Sequence, residues 1–417
     1  MTAEDAAAPG GQSARAAASD RELARLVREE SARIVAALTV ATGSLDVAEE
    51  ATAEAIEEAL RQWRRTGIPP RPGGWLMQAA RHDALDRLRR EKTYRAKLAL
   101  LPEQEHVPAA DPDERLPLLF GCCHPALAPQ AQLALTLRAV LGVTTAQIAR
   151  ATLEPEATVG QRISRAKRKM AAAAIPLRIP EGDERAGRLD IVLTVLSVMY
   201  DAAHLVAGAD AAADRDLAED ALWLAHVVAR ALPGEAEAAG LHALLLFHRS
   251  REPARAVAGS LVLLDAQDRR LWDRGLIDRA RGELARAADL RSPGRWQLHA
   301  AIAACHADAA SIDDTDWLQM LVLYDMLAGY DSSPIVRLNR AVVLARVAGP
   351  GPALGALEAL REPLERSHLW HAVRGQLLRD LGRGPEAEAA DRKALSLTGN
   401  EAERRLLMAR LARPRVP

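Results

Sequence analysis

The stretch LEPEATVGQRISRAKRKM, residues 153–170, decides how the fold is interpreted. It holds five lysine and arginine side chains, although the chain of 417 residues has a net charge of only −1. Its apolar residues recur in steps of four, three and four, which is the period of one buried helix face. These positions are Val159, Ile163, Ala166 and Met170. The stretch therefore predicts an amphipathic helix with a basic outer face.

The residues before this basic helix predict a partner helix. Pro155 suits the first position of the basic helix, because proline has no N–H to leave unpaired there. Upstream, residues 142–156 (GVTTAQIARATLEPE) predict a second short helix, with Ile148 facing inward and Thr144 as its N-cap. Two short helices joined by a tight turn, the second of them basic, are typical of a DNA-binding helix-turn-helix. The alternative is a charged face that meets only solvent.

The outer face of the basic helix carries the groups that read DNA. Cationic and hydrogen-bonding side chains of this kind meet phosphates and base edges in a major groove, and the N-terminal half of such a helix faces the bases. The residues expected to read base edges are Glu156, Thr158, Gln161, Arg162 and Arg165. Arg168 and Lys169, further along the helix, are expected to contact phosphates.

Charge is strongly segregated in the N-terminal part of the chain. Residues 61–97 contain 11 Lys or Arg against 3 Asp or Glu, whereas residues 44–58 contain six acids and no base. Neighbouring blocks of opposite sign predict two different partners. The acidic block lies on a predicted helix, 44–63, which leads into a turn-rich segment, 66–74. A second basic amphipathic helix follows over 74–92, with Leu76, Ala80, Ala84 and Leu88 on its apolar face.

Composition and boundary signals predict an all-α protein. Alanine is very abundant and only two Phe and four Tyr occur, so the cores are expected to be mostly Leu, Val, Ala and Ile, a composition that favours helices. Prolines and polar stretches mark the expected limits of the domains. These are a disordered tail (1–19), a first helical domain (20–92), a linker (93–113), a second helical domain that ends in the helix-turn-helix (114–175), and a large helical domain (180–417).

The order of these elements resembles the two-domain layout of bacterial extracytoplasmic-function sigma factors. The resemblance covers the acidic helix, the proline-containing loop, the helix GWLMQAARHDALDRLRRE, the linker and the helix-turn-helix. It implies that the chain binds core RNA polymerase and promoter DNA. In that family the acidic helix binds the clamp helices of the beta-prime subunit, and the second domain contacts the beta flap. The residues that correspond to the clamp-binding positions are Asp46, Glu49, Glu50 and Glu54.

The resemblance also assigns the promoter elements. The family reads the minus-ten element with the loop, here 65–74, and the helix that follows it, and reads the minus-thirty-five element with the basic helix of the helix-turn-helix. The minus-ten residues implied on that helix are Trp75, His82, Asp83, Asp86, Arg87, Arg89 and Arg90. His82 stands where the family often has Asn, which bears on base preference.

The C-terminal region carries a faint repeat. Ala341 and Gly375 are 34 residues apart, as are Ala353 and Ala387, and residues 368–395 resemble a tetratricopeptide unit. The repeat is degenerate, so the alternative is an irregular helical bundle. Together the three regions resemble the group of extracytoplasmic-function sigma factors with a tetratricopeptide-like C-terminal extension. Stacked helix pairs of this kind suit a protein or peptide partner.

Other classes of function are disfavoured by the sequence. It contains no phosphate loop, nucleophile elbow or two-histidine helix, so we expect neither an enzyme nor a cofactor. The three cysteines, Cys122, Cys123 and Cys305, lack the spacing of a metal site or a disulfide framework and are expected to be core thiols. The apolar run 191–200 is half the length of a bilayer span, and residues 1–19 lack the apolar core of a signal peptide. We therefore expect a cytoplasmic protein without membrane contact.

One competing function remains open. A one-component transcriptional regulator would also join a helix-turn-helix to a helical sensor domain. It would not need an acidic helix that faces polymerase, or a second DNA-reading helix upstream. In vitro transcription with core polymerase separates the two hypotheses.

Overall fold

Residues 30–90 form three helices, and the contact between the second and the third depends on small side chains. The structure, a computed structural model, describes residues 30–90, 113, 115–152, 154–205, 217–257 and 260–412. Helix α1 includes residues 30–42, α2 spans Leu45–Thr66 and α3 spans Pro72–Arg90. The buried face of α2 is mostly alanine, which lets α3 approach closely. The residues on this face are Ala48, Ala51, Ala55, Ala59 and Trp63.

Capping residues explain where α2 begins and ends. Ser44 accepts a hydrogen bond from the backbone N–H of Val47 at 3.3 Å, as an N-cap serine should. Gly67 ends the helix with φ of +83°, a conformation that favours glycine. Helix α3 then begins at Pro72, which suits an early helical position. The loop is therefore shorter than predicted, because Pro72, Gly73 and Gly74 already belong to α3.

Within the described residues of 115–172, four helices form the helix-turn-helix region. Their bounds are Arg115–Cys122 (α4), Pro129–Leu135 (α5, continued by a π-helical turn over Thr136–Val140), Thr145–Thr152 (α6) and Glu156–Ala172 (α7). The predicted apolar face of α7 is confirmed, since Val159, Ile163, Ala166 and Met170 are all buried. Thr144 and Gln147 exchange hydrogen bonds at the start of α6, which confirms the predicted cap. Pro155 lies one residue earlier than expected, as the N-cap of α7.

Helix α8, Asp183–Leu205, belongs largely with the preceding helices. Its Arg188 is buried and donates from Nη2 to the carbonyl oxygen of Phe120 at 2.6 Å. The chain divides into two compact units between Ala202 and Ala203. The boundary predicted from prolines near residue 180 thus precedes the observed one, because prolines mark the end of a helix but do not reveal what the next helix packs against.

The second unit is a succession of paired helices. The first are α9 (Leu217–Ala231), α10 (Ala236–Ser250), α11 (Arg274–Asp289) and α12 (Arg295–Asp308). The later ones are α13 (Trp317–Leu327), α14 (Pro334–Ala348), α15 (Pro350–Glu358), α16 (Arg361–Leu364), α17 (His368–Asp380), α18 (Gly384–Leu397) and α19 (Glu401–Leu411). Between α10 and α11 lie short 3₁₀ turns and an antiparallel hairpin of two-residue strands, β1 (Ala256–Val257) and β2 (Ser260–Leu261).

The predicted repeat positions lie in one core of this unit. Ala341 of α14, Ala353 of α15 and Ala387 of α18 are buried together with leucines of the same helices. A Cβ at Gly375 of α17 would clash with Oδ1 of Asp391 and would come within 3.3 Å of the carbonyl oxygen of Ala387. Small residues at these sites let the paired helices approach closely, which gives the 34-residue spacing a physical reason.

The fold class is confirmed: the described residues form helices apart from the small hairpin and the connecting turns. The predicted disordered tail (1–19) lies outside the described residues, as does the predicted linker (93–113) except for its last residue. No helix in the described part of the chain is long and apolar enough to cross a membrane.

Candidate nucleic-acid interface

The outer face of α7 is open to solvent over most of its predicted contacts. Because its apolar stripe packs against the preceding helices, the opposite side points away from the core. The exposed residues there include every predicted DNA-contacting residue but one: Glu156, Thr158, Gln161, Arg165, Arg168 and Lys169. This face combines three cations with hydroxyl and amide groups, which suits contact with phosphates and base edges.

Arg162, the remaining predicted residue, is engaged within the protein. Its Nη1 donates to Oε1 of Glu154 at 2.8 Å, and its Nη2 donates to Oε2 of the same carboxylate. The side chains of Arg162 and Glu154 are 23% and 28% exposed. The hydrogen bond from Arg162 holds the pKa of the Glu154 carboxyl below its ordinary value, and the same bond raises the pKa of the guanidinium. Glu154 therefore orients the Arg162 side chain in the absence of DNA.

A groove of about 290 Å³ runs beside Arg162. The recognition helix forms one wall, through Thr158, Gln161, Arg162, Arg165, Ala166 and Lys169. The other wall is apolar and comes from α5 and the loop before it, through Leu127, Ala128 and Ala131. The groove therefore joins several predicted DNA-contacting side chains to an apolar surface.

The flank of α7 opposite Arg162 contacts the acidic helix α2. Lys167 is only 14% exposed, and its Nζ donates to Oδ1 of Asp46 at 2.9 Å and to Oε2 of Glu49 at 2.6 Å. Arg138 adds a second cation, with its Nε 3.5 Å from Oε1 of Glu49. Burial lowers the pKa of Lys167, but the hydrogen bonds to Glu49 and Asp46 outweigh it, and the net pKa is raised. Two predicted polymerase-binding acids are thus neutralised from within the unit.

The other two predicted polymerase-binding acids meet α3. Arg87 donates from Nη1 to Glu50 and from Nη2 to Glu54. These carboxylates keep 60% and 51% of their side-chain surface exposed. Nearby, burial and then the charges of Glu54 and Glu58 raise the pKa of Asp83. Arg87 and Asp83, both predicted to contact the minus-ten element, are therefore turned toward α2.

The remaining predicted residues of α3 are spread along the helix. Trp75 lies at its start and packs edge-on against Trp63, with ring centroids 5.4 Å apart. His82 and Arg89 are exposed and both face Asp86, with His82 Nδ1 3.7 Å and Arg89 Nη1 3.0 Å from its carboxylate oxygens. The side chain of Arg90 lies outside the described residues.

Two residues of this region have ion-pair partners that the sequence analysis did not predict. Glu154 could have been found, since an acid just before the start of a basic helix can accept from an arginine whose long side chain points back toward the helix N-terminus. Lys167 carries no local signal for its role, because its partners lie 121 and 118 residues away in the chain.

The three cysteines are free and buried, as predicted for core thiols. Burial raises the pKa of Cys123 to about 12 and that of Cys305 to about 11, so neither is a ready nucleophile. No group of three potential metal ligands occurs in the part of the chain that the structure describes.

Comparison with known proteins supports the interpretation of the helix-turn-helix. Residues 118–170 match the family described as Sigma-70, region 4, and residues 188–288 match a family of unknown function, DUF6596. A protein of Rhizobium meliloti (strain 1021) named "Uncharacterized protein R00370" is 40% identical over 376 residues, which cover 86% of this chain and 88% of that protein. No solved structure matches the chain. The chain therefore belongs to the same family as this Rhizobium meliloti protein, and its Sigma-70 region 4 helix-turn-helix makes it a sigma-factor-like DNA-binding protein.

Proposed function

We propose that the chain is an extracytoplasmic-function type sigma factor, which binds core RNA polymerase and directs it to specific promoters. One observation carries the proposal. The segment that matches Sigma-70 region 4 folds as a helix-turn-helix with an exposed cationic outer face, and it lies in the same compact unit as an acidic helix. A sigma factor needs both surfaces, one for DNA and one for polymerase.

In this proposal α7 reads the minus-thirty-five element and the second sigma-type domain (114–175) meets the beta flap. The 65–74 segment and α3 of the first sigma-type domain (20–92) read the minus-ten element. Of the α3 residues, His82 and Arg89 are the side chains best placed for DNA, because both are exposed. Arg87 would have to leave Glu50 and Glu54 before it could contact a strand.

Helix α2 is proposed to bind the beta-prime clamp helices through Asp46, Glu49, Glu50 and Glu54. The ion pairs described above show that these carboxylates accept both ammonium and guanidinium groups. A cationic partner can replace Lys167, Arg138 and Arg87 one for one, because the replaced contacts have the same chemistry. Binding by Asp46 and Glu49 therefore requires α2 and α7 to separate.

The second unit is proposed to be a tetratricopeptide-like regulatory domain with a protein or peptide partner. The close approach of paired helices at Ala341, Gly375 and Ala387 supports this assignment. We propose that this unit is required for productive transcription, rather than inhibitory.

In vitro transcription tests the proposal. The full chain is added to core polymerase on a pool of templates with randomised upstream sequence. A sigma factor selects a subset of templates for initiation, whereas a one-component regulator binds DNA without core and initiates nothing. Residues 1–202 are assayed in parallel, and much reduced transcription is expected. Greater activity of this fragment would show that the second unit inhibits.

A further inference from the structure

We propose that Glu154 is a positioning residue that holds Arg162 for base reading, an inference that rests on the proposed role of α7 at the promoter. Glu154 lies in the turn between α6 and α7, and Arg162 follows two helical turns later. Both oxygens of the carboxylate accept from the two terminal nitrogens of the guanidinium. The paired groups are mostly shielded from water, which weakens the screening of their attraction.

The pairing leaves Arg162 able to read a base. A guanidinium carries five N–H donors, of which Glu154 accepts two. The three that remain include Nε–H and the neighbouring terminal N–H, which together form a second donor fork. Such a fork fits O6 and N7 of guanine in the major groove. Because the side chain is already ordered, binding DNA costs it little conformational entropy.

The pairing also reduces the contribution of Arg162 to the nonspecific affinity for DNA. Cations bind the phosphate backbone by neutralising it and releasing counterions. An arginine whose charge is offset by an adjacent carboxylate adds little to that effect. Arg165 and Lys169 are different, because no ion pair of theirs occurs within the described residues. Because of Glu154, Arg162 contributes to the recognition of a specific base. Arg165 and Lys169 contribute the salt-dependent part of the affinity for DNA.

The groove beside Arg162 favours an edge-on approach of a base. Leu127, Ala128 and Ala131 form its apolar wall, so a base edge that enters is partly withdrawn from water. Hydrogen bonds gain strength in such surroundings. A guanine edge at this position meets a fixed donor fork with an apolar surface next to it.

The test is selection from a randomised duplex library by the full chain, with and without core polymerase. The variants are Glu154→Gln, Arg162→Ala and the double variant, with Lys169→Ala as the control. We expect Glu154→Gln and Arg162→Ala to lose discrimination at the same base pair, by about 5- to 150-fold, the range of a bidentate base contact. The double variant should lose no more than either single variant. Glu154→Gln should also increase the salt slope of binding by about one, whereas Lys169→Ala should lower it by about one.

Two results would overturn the positioning role. One is an unchanged base preference in Glu154→Gln while Arg162→Ala loses it. The other is an equal loss of affinity for every sequence, which a merely structural role predicts. A folding defect is identified by the thermal midpoint of each variant and by Glu154→Asp, which keeps the carboxylate. If the wild-type chain selects no sequence under either condition, the proposed function fails, and the positioning role fails with it.

Discussion

The acidic face of α2 and the basic outer face of α7 are both highly charged, but they differ in how far their charges are paired within the protein. The carboxylates of α2 meet Lys167 and Arg138 from the helix-turn-helix region and Arg87 from α3. The outer cations Arg165, Arg168 and Lys169 are exposed. Sequence alone shows two surfaces of opposite sign. The structure shows that Arg165, Arg168 and Lys169 of the proposed DNA-facing surface are exposed and Arg162 is paired with Glu154, whereas the carboxylates of the proposed polymerase-facing surface are paired with cations of other helices.

The largest expected effect comes from reversing the charge at the centre of the acidic face of α2. Glu49→Lys places a third cation beside Lys167 and Arg138 at a side chain that is only 20% exposed. We expect a loss of about 2–4 kcal/mol in the free energy of unfolding, because breaking a shielded pair leaves uncompensated charge. Urea denaturation of the full chain measures this loss.

Glu57→Lys is the matched control on the same helix, since its side chain is 72% exposed. A change of no more than about 0.5 kcal/mol is expected there. A loss at Glu49→Lys as small as that at Glu57→Lys would mean that the ion pairs of Glu49 with Lys167 and Arg138 contribute nothing to stability.

The next effect concerns polymerase affinity. Lys167→Met removes the ammonium group from Asp46 and Glu49 but keeps an unbranched apolar stem. Under the proposed function these acids become available, so the chain should bind core polymerase about fivefold more tightly, the equivalent of one ion pair of roughly 1 kcal/mol. Lys169→Met, on the open face, should leave this affinity unchanged. Fluorescence titration of core polymerase compares the two variants, and weaker binding by Lys167→Met would contradict the competition.

The salt dependence of DNA binding also distinguishes the outer face of α7 from the flank that contacts α2. Lys169→Ala should weaken binding of the full chain to all DNA sequences alike and lower the salt slope by about one. Lys167→Ala should leave the slope of the chain alone nearly unchanged, because two carboxylates already offset its charge. A slope that falls equally in both variants would show that Lys167 contacts phosphate despite its partners.

The smallest effect is a pH dependence at Asp83. Burial and the nearby Glu54 and Glu58 raise the pKa of this carboxyl above its ordinary 3.8, so the folded chain binds the proton more tightly than the unfolded chain. The ionised group therefore lowers stability at neutral pH, and this penalty disappears as the pH falls through the folded pKa toward 3.8.

Asp83→Asn should accordingly stabilise the chain at pH 7 by about 0.3 kcal/mol, the scale of repulsion between like-charged neighbours on helices. The gain should shrink toward pH 4 in urea titrations at both values. Asp86→Asn, which loses contacts with His82 and Arg89, should give no gain.

Local patterns predicted the helices of the first unit well, because their causes are local. The four apolar positions of α7 and the cap at Thr144 follow from periodicity and from hydrogen bonding within one turn. The pairing of Lys167 with α2 depends on how distant helices pack, and no local pattern reports it. The same reason explains α8: prolines near residue 180 predicted a domain boundary, but the bond from Arg188 to Phe120 holds α8 to the first unit.

The position of Lys167 between two partners couples binding at two surfaces. Under the proposed function, polymerase that takes Asp46 and Glu49 releases Lys167 as an unpaired cation on a DNA-binding helix. Thermodynamic linkage is reciprocal. DNA that binds the released lysine therefore raises the affinity for polymerase by the same factor by which polymerase raises the affinity for DNA. The chain would then bind DNA alone or polymerase alone more weakly than it binds either in the presence of the other, and would favour the ternary assembly of all three.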